Sequence, residues 1–220
     1  MACGSANAYS GSFNSDCVNR VPLLPAPTPN GRPHIKKLLE YCADPNVDVW
    51  AIDEVHFEQH GSRCRMWVAP EDKDPILLHH PTRKKVGYFG AVRIRDGVLV
   101  MSREENRFNA ETTWRFLKRL RKKSKRTGRK TVVIIDNARY HHAKLHKEWR
   151  ALQEPDFVLA FLPPYSPKLN PIERVWKLTR RLCIHNRYFP TLDAVIQRVE
   201  AQFTLWAKAN TALTSLCAII

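Results

Sequence analysis

The sequence predicts an α/β domain built on a mixed five-stranded sheet with helices on both faces. Three observations carry that prediction. Thr131–Ile135 is an unbroken β-branched run bracketed by helical periodicity, the mark of a strand buried on both faces. Val86–Ile94 and Val98–Ser102 meet around Asp96-Gly97, a dipeptide that favours a tight hairpin turn. A strand and this hairpin come first and helix-separated strands follow, the order of a mixed sheet with helices packed on it.

Each element has its own signal. Residues 1–33 are rich in Ser, Asn and Ala and carry five of the fifteen prolines, so they read as a flexible leader to a domain spanning 34–210. Ile35–Cys42 is a short amphipathic helix. Along Val47–Phe57, Val47, Val49, Ala51 and Asp53 share one face while Trp50 and Ile52 take the other, as in a strand. Gly61–Lys85 is irregular, polar and basic, with a short apolar piece at Met66–Ala69. Ala110–Lys125 carries Trp114, Leu117 and Leu120 on a helical stripe. A helix around His142–Leu152, a strand at Phe157–Leu162, and helices at Pro171–Ile184 and Leu192–Lys208 complete the domain, and 211–220 reads as an apolar C-terminal tail.

Charge narrows the partners. Thirty-six Lys and Arg against twenty-one Asp and Glu leave +15, which points to a polyanion, nucleic acid being the commonest. Arg115–Lys130 alone holds ten basic residues and no acid. It reads as a phosphate-binding face, with Arg115, Lys118, Arg119 and Lys122 as candidates, or as a solvated helix face. Arg174, Lys177, Arg180 and Arg181 form a second basic set. No apolar run approaches the roughly 20 residues that cross a bilayer, and no signal peptide is visible. The six cysteines form no CxxC pair, as expected of reduced thiols in a cytoplasmic protein.

The carboxylates are sparse where the charge is densest. Asp136 is the only acid between Glu111 and Glu148, and Glu173 the only one between Asp156 and Asp193. Asp136 follows the buried strand, at the end of an α/β sheet where ligands bind; a helix N-cap is the competing reading. Glu173 follows a proline-built approach, with Asn170 a natural N-cap and Pro171 suited to the first helical position, so a capping-box role competes there too. Asp53 lies within a strand beside Glu54, and only one of the two can point to a given face. Three such carboxylates in one site would repel by on the order of 4 kcal/mol per pair at about 4 Å and an effective dielectric of about 20. Divalent cations, which favour carboxylate and phosphate oxygens, resolve that conflict.

Three segments together resemble the DDE transposases, specifically the bacterial insertion-sequence branch of the mariner superfamily. They are Trp50-Ala51-Ile52-Asp53-Glu54, Ile135-Asp136-Asn137-Ala138-Arg139-Tyr140-His141, and Pro163-Pro164-Tyr165-Ser166-Pro167-Lys168-Leu169-Asn170-Pro171-Ile172-Glu173. The resemblance implies a ribonuclease-H-like fold in which Asp53, Asp136 and Glu173 bind two Mg²⁺ or Mn²⁺ ions. It implies cleavage of phosphodiester bonds at transposon ends and transfer of the freed 3′-hydroxyl into target DNA, typically at TA. Asn137 and His141 are expected to support the metal site. Double-stranded DNA, a homodimer and a nucleoid location go with this expectation. Residues 1–33 do not correspond to the family's helix-turn-helix region, which leaves end recognition to a separate polypeptide or reading frame. Two other readings fit the same residues: a remnant that only binds DNA, and a structure-selective nuclease on the same fold.

The remaining motifs say less. His142 and His146 have a spacing that can bind zinc, but no third ligand is nearby and no HExxH occurs. No GxSxG elbow marks a serine hydrolase. Trp50, Trp114 and Trp176 read as core.

Overall fold

The computed structural model describes residues 32–65, 71, 76, 78, 82–105, 107–164 and 166–219. The leader through residue 31 and the apolar piece Met66–Ala69 lie outside the described residues.

The buried β-branched run forms β4 (Lys130–Ile135), which lies parallel to both β1 (Val47–Glu58) and β5 (Phe157–Phe161). The hairpin strands β2 (Lys85–Arg93) and β3 (Leu99–Glu104) add antiparallel to the other side of β1, giving the order β3-β2-β1-β4-β5. Gly97 takes φ 68° in the hairpin turn, a left-handed conformation for which glycine carries no Cβ penalty.

Both sheet faces are dry. On one, Phe116, Leu117 and Leu120 of α2 (Ala110–Ser124) pack on Trp50, Ile52 and Val133. On the other, Val49, Ala51, Val132 and Ile134 meet α1 (Arg32–Ala43), α4 (Ile172–Thr179), α5 (Leu192–Trp206) and α6 (Thr211–Cys217). The central strands are therefore apolar on alternate and intervening positions alike, which is why β4 reads as a continuous run.

Four expectations change. The first helix begins at Arg32 rather than Ile35, with Pro33 in the first turn, where its missing N–H is no loss. The helix expected from His142 begins instead at Lys147, as α3 (Lys147–Gln153). Ahead of it run two 3₁₀ turns separated by Ala143, whose extended backbone (ψ 141°) interrupts the helical path. Finally, the segment read as a tail folds as α6, and its Leu213 and Cys217 are fully buried against the core. The helix carrying Glu173 also changes character, since α4 passes into a π turn at Arg180–Ile184.

A three-carboxylate cavity as the candidate active site

Strand register sets the first two carboxylates side by side. Ala51 is opposite Ile134 in the parallel pair β1–β4, so two residues further along Asp53 comes level with Asp136, the first residue beyond β4. The polypeptide leaving β5 is tied to that leaving β4: Leu162 N–H donates to the Ile135 carbonyl at 2.8 Å, and the Asn137 amide donates back to the Leu162 carbonyl. The proline-rich approach then delivers Asn170, whose Nδ2 donates to the Ile52 carbonyl at 2.9 Å. That bond pins the start of α4 to β1 and brings Glu173, in the first turn, over Asp53.

Asp53, Asp136 and Glu173 thus line one cavity of about 440 Å³, with Asn137, Ser166, Asn170 and the Leu162–Pro164 wall. The helix-cap readings do not describe them. Asp136 Oδ1 accepts from Ala138 N–H at 3.1 Å in a turn, while the helical turn that follows is capped by Ala138. Pro171 has helical dihedrals, as expected of a first helical residue, but Asn170 spends its side chain on β1 instead of capping α4.

Electrostatics separate Asp53 from Asp136. Burial pushes the Asp53 carboxyl up to about 7; the charges of Glu173 and Asp136 add to the rise, against hydrogen bonds from the Glu54 backbone and the Trp176 indole. Glu54 sits on the opposite face of β1, with its side chain only 10% exposed. Burial, then Asp53 and Asp136, push it up to about 8. Asp136 moves the other way, held low chiefly by its hydrogen bond from His141.

His141, 2% exposed, places Nε2 3.0 Å from Asp136 Oδ1 and 3.8 Å from Glu54 Oε1. Tyr140 hydrogen-bonds Glu54 from the same turn. Asn137 is clamped at both ends of its amide, by Leu162 and by His142 Nε2 at 2.9 Å. His142 itself stacks on Phe161, and His146 donates to the Tyr140 carbonyl at 3.1 Å, so the two histidines serve different neighbours.

The predicted basic residues scatter. Arg174 Nη1 donates to the Leu216 and Ala218 carbonyls at 2.9 and 3.0 Å, which ties it to the end of α6. Arg180 lies over the Phe57 ring, whereas Lys177 and Arg181 are exposed. On α2, Arg115 pairs with Glu104, Lys118 lies 4.0 Å over Trp114, Arg119 donates to Ser102 Oγ, and Lys122 is exposed. None of the four lines the cavity.

The sequence reading missed four contributors: Glu54, Tyr140, Trp176, and Gly90, which pairs with Asp53 across β1 and β2 and leaves room for the Trp176 indole. The Asp-Glu doublet and a glycine inside a central strand were the available signals.

Among the described residues, no three His, Cys, Asp or Glu converge closely enough to chelate one ion as they stand. The donor set still fits Mg²⁺ or Mn²⁺. Such hard ions take oxygen ligands, commonly one or two carboxylates completed by substrate phosphates instead of an all-protein cage.

Similar proteins share the family and the fold. A family model described as DDE superfamily endonuclease matches residues 48–196, a span that includes all three cavity carboxylates. Uncharacterized protein y4pE/y4sA of Sinorhizobium fredii (strain NBRC 101917 / NGR234) is 39% identical over 70 residues, which is 31% of this chain and 47% of that protein. Among solved structures, the Mos1 transposase paired-end complex with left transposon end superposes with TM-score 0.63 at 14% identity, covering 99% of this chain and 62% of that one. The Mos1 strand transfer complex gives 0.61 at 16% identity, with 99% and 62% covered. The catalytic domain of Mos1 mariner transposase gives 0.56 at 14%, with 94% and 89% covered. The shared feature is the fold, a mixed five-stranded sheet flanked by helices, and this chain spans about three-fifths of the transposase chains in the DNA complexes. Among the described residues, no helix is long and apolar enough to cross a membrane.

Proposed function

Because this chain belongs to the DDE superfamily endonucleases, we propose that it is the catalytic domain of a transposase that cuts DNA at transposon ends and transfers the 3′-hydroxyl into target DNA at TA. The observation that carries this reading is the convergence of Asp53, Asp136 and Glu173, from a strand, a strand exit and a helix start, on one cavity. Asp53, Asp136 and Glu173 would hold two Mg²⁺ or Mn²⁺ ions. Bound there, such ions stabilise the attacking and leaving oxygens of an in-line phosphoryl transfer.

The chain's own residues do the positioning. Asn170 fixes Glu173 over β1, Asn137 joins the two loops that wall the cavity, and His141 holds the Asp136 carboxylate by Nε2. Trp176 orients Asp53 from the α4 side. Lys177 and Arg181, exposed on the helix that carries Glu173 and its π turn, grip the DNA backbone beside the cavity. In this reading the substrate is double-stranded DNA, and pairing two ends takes a homodimer acting at the nucleoid.

Nicking of supercoiled plasmid in Mn²⁺ by wild type and Glu173→Gln tests the reading. Activity in the wild type and its loss in the variant is the expected result. DNA binding without nicking in either protein would replace it with a binding remnant. Preference for branched over terminal-repeat DNA would replace it with a structure-selective nuclease.

A further inference from the structure

The densest basic segment does not lie at the cavity. α2 starts beside the end of β3, where Glu104 pairs with Gly87 at the cavity end of the sheet, and runs down to the opposite end. There Lys130 N–H donates to the Asn46 carbonyl, and Lys130 itself opposes Val47 at the start of β1. Lys130 and Asp136 are six residues apart on one extended strand, so about 20 Å separates them. α2 also covers the sheet face opposite to α4. The basic end of α2 is thus removed from the cavity by the length of the sheet and by its thickness.

Two acids at that end, Asp48 and Asp96, are already used. Asp48, fully buried, takes Arg93 at 3.3 Å, Arg95 at 3.2 Å and Arg129 at 3.6 Å; Asp96 also takes Arg93, at 2.7 Å. Among the described residues, no carboxylate pairs with Lys125, Arg126 or Lys130, and all three side chains are exposed. Burial, then the neighbouring charges of Arg93, Arg119 and Arg126, hold the Lys123 amine below its ordinary range. This end of the molecule therefore carries unrelieved like charge, which a phosphate backbone neutralises.

We propose that the basic end of α2 and the turn into β4 form a second surface for duplex DNA, which holds a segment other than the one entering the cavity. Short DNA is stiff, with a persistence length of about 150 bp. A duplex seated in the cavity therefore does not also reach round the sheet to Lys125 and Arg126. The surface holds a separate duplex. The inference rests on the reading that the cavity acts on DNA.

The test uses the full chain in EDTA, so that cleavage plays no part. Affinity for a short labelled duplex is measured against salt for wild type and Lys125→Glu/Arg126→Glu/Lys130→Glu. Capture of the labelled duplex by protein already held on a bead-tethered duplex is measured in parallel. With an unchanged thermal melt, the triple variant loses capture, and its slope of log affinity against log salt becomes shallower by about 3, one contact being worth about 0.9. Capture and slope equal to wild type in the triple variant overturn the second surface. Failure of the cavity reading would show instead as absent nicking in Mn²⁺, which leaves this binding test unaffected.

Discussion

The Trp176 indole Nε1 donates to Asp53 Oδ2 at 3.1 Å, linking a helix to a strand residue 123 positions away. It reaches that carboxylate because Gly90, which pairs with Asp53 across the antiparallel strands, has no side chain. A Cβ at Gly90 would overlap the indole ring and stand 2.9 Å from Met101 Sδ. Gly90→Ala is therefore expected to push the indole off Asp53. Overpacking of this kind costs about 1–3 kcal/mol, and nicking should fall with it. Trp176→Phe removes only the donor and part of the volume, so its loss of nicking should exceed its loss of thermal stability. Unchanged nicking in both variants would show that Asp53 needs no such orientation.

The cavity carboxylates make stability depend on pH. Asp53 and Glu54 keep their protons to about 7 and about 8 in the folded chain, whereas an unfolded chain releases them near pH 4. Between those limits the folded state binds more protons than the unfolded one, so stability falls as pH rises. For Asp53 alone the change is on the order of 4 kcal/mol. Thermal melts of metal-free protein should therefore drop from pH 5 to pH 8, and Mn²⁺ should restore them at pH 8 more than at pH 5. A flat profile would show that the two carboxylates are not held as described.

Glu54 does not line the cavity, yet Tyr140 and His141 join it to Asp136. Outer partners of metal ligands commonly cost 10–100-fold in metal affinity or activity when changed. Glu54→Gln should raise the Mn²⁺ concentration needed for half-maximal nicking by about tenfold or more, while removing one buried charge and so stabilising the metal-free protein at pH 8. An unchanged Mn²⁺ requirement would reduce Glu54 to a packing role.

The strands and the hairpin were legible because each rests on local pattern, β-branched runs and Asp-Gly; Asp136 and Glu173 stood out as acids isolated among bases, and the grouping of both with Asp53 came from the family resemblance. What was not legible depends on long-range contacts. Nothing near Leu213 announces that it is buried under α4, because the pattern of α6 is too short to distinguish a packed helix from an apolar tail. Helical periodicity around His142 continued through Ala143, whose extended backbone only tertiary context imposes. Glu54 was set aside by strand alternation, correctly as to face; its link to Asp136 runs through a turn that packs beneath the strand exit. Composition found the basic segment at 115–130 but could not say which end of the sheet it reaches.

Arg174 and Lys177 lie on one short helix but differ in what their charges meet. Arg174 is half-buried and supplies both of its Nη1 bonds to carbonyls at the end of α6, while Lys177 is exposed one turn further on. Hydrogen bonds from a charged donor contribute about 1.5–3 kcal/mol each before solvent screening, and Arg174 is partly screened. Arg174→Ala should therefore cost about 2 kcal/mol, seen as a fall of roughly 4–8 °C in Tm for a chain of this size. The salt slope of DNA binding should stay as in the wild type. Lys177→Ala should do the reverse, leaving Tm in place and making the slope shallower by about 0.9. If Arg174→Ala changed the slope and left Tm unaltered, the arginine would be a DNA contact after all, and α6 would be held by its buried Leu213 and Cys217 alone.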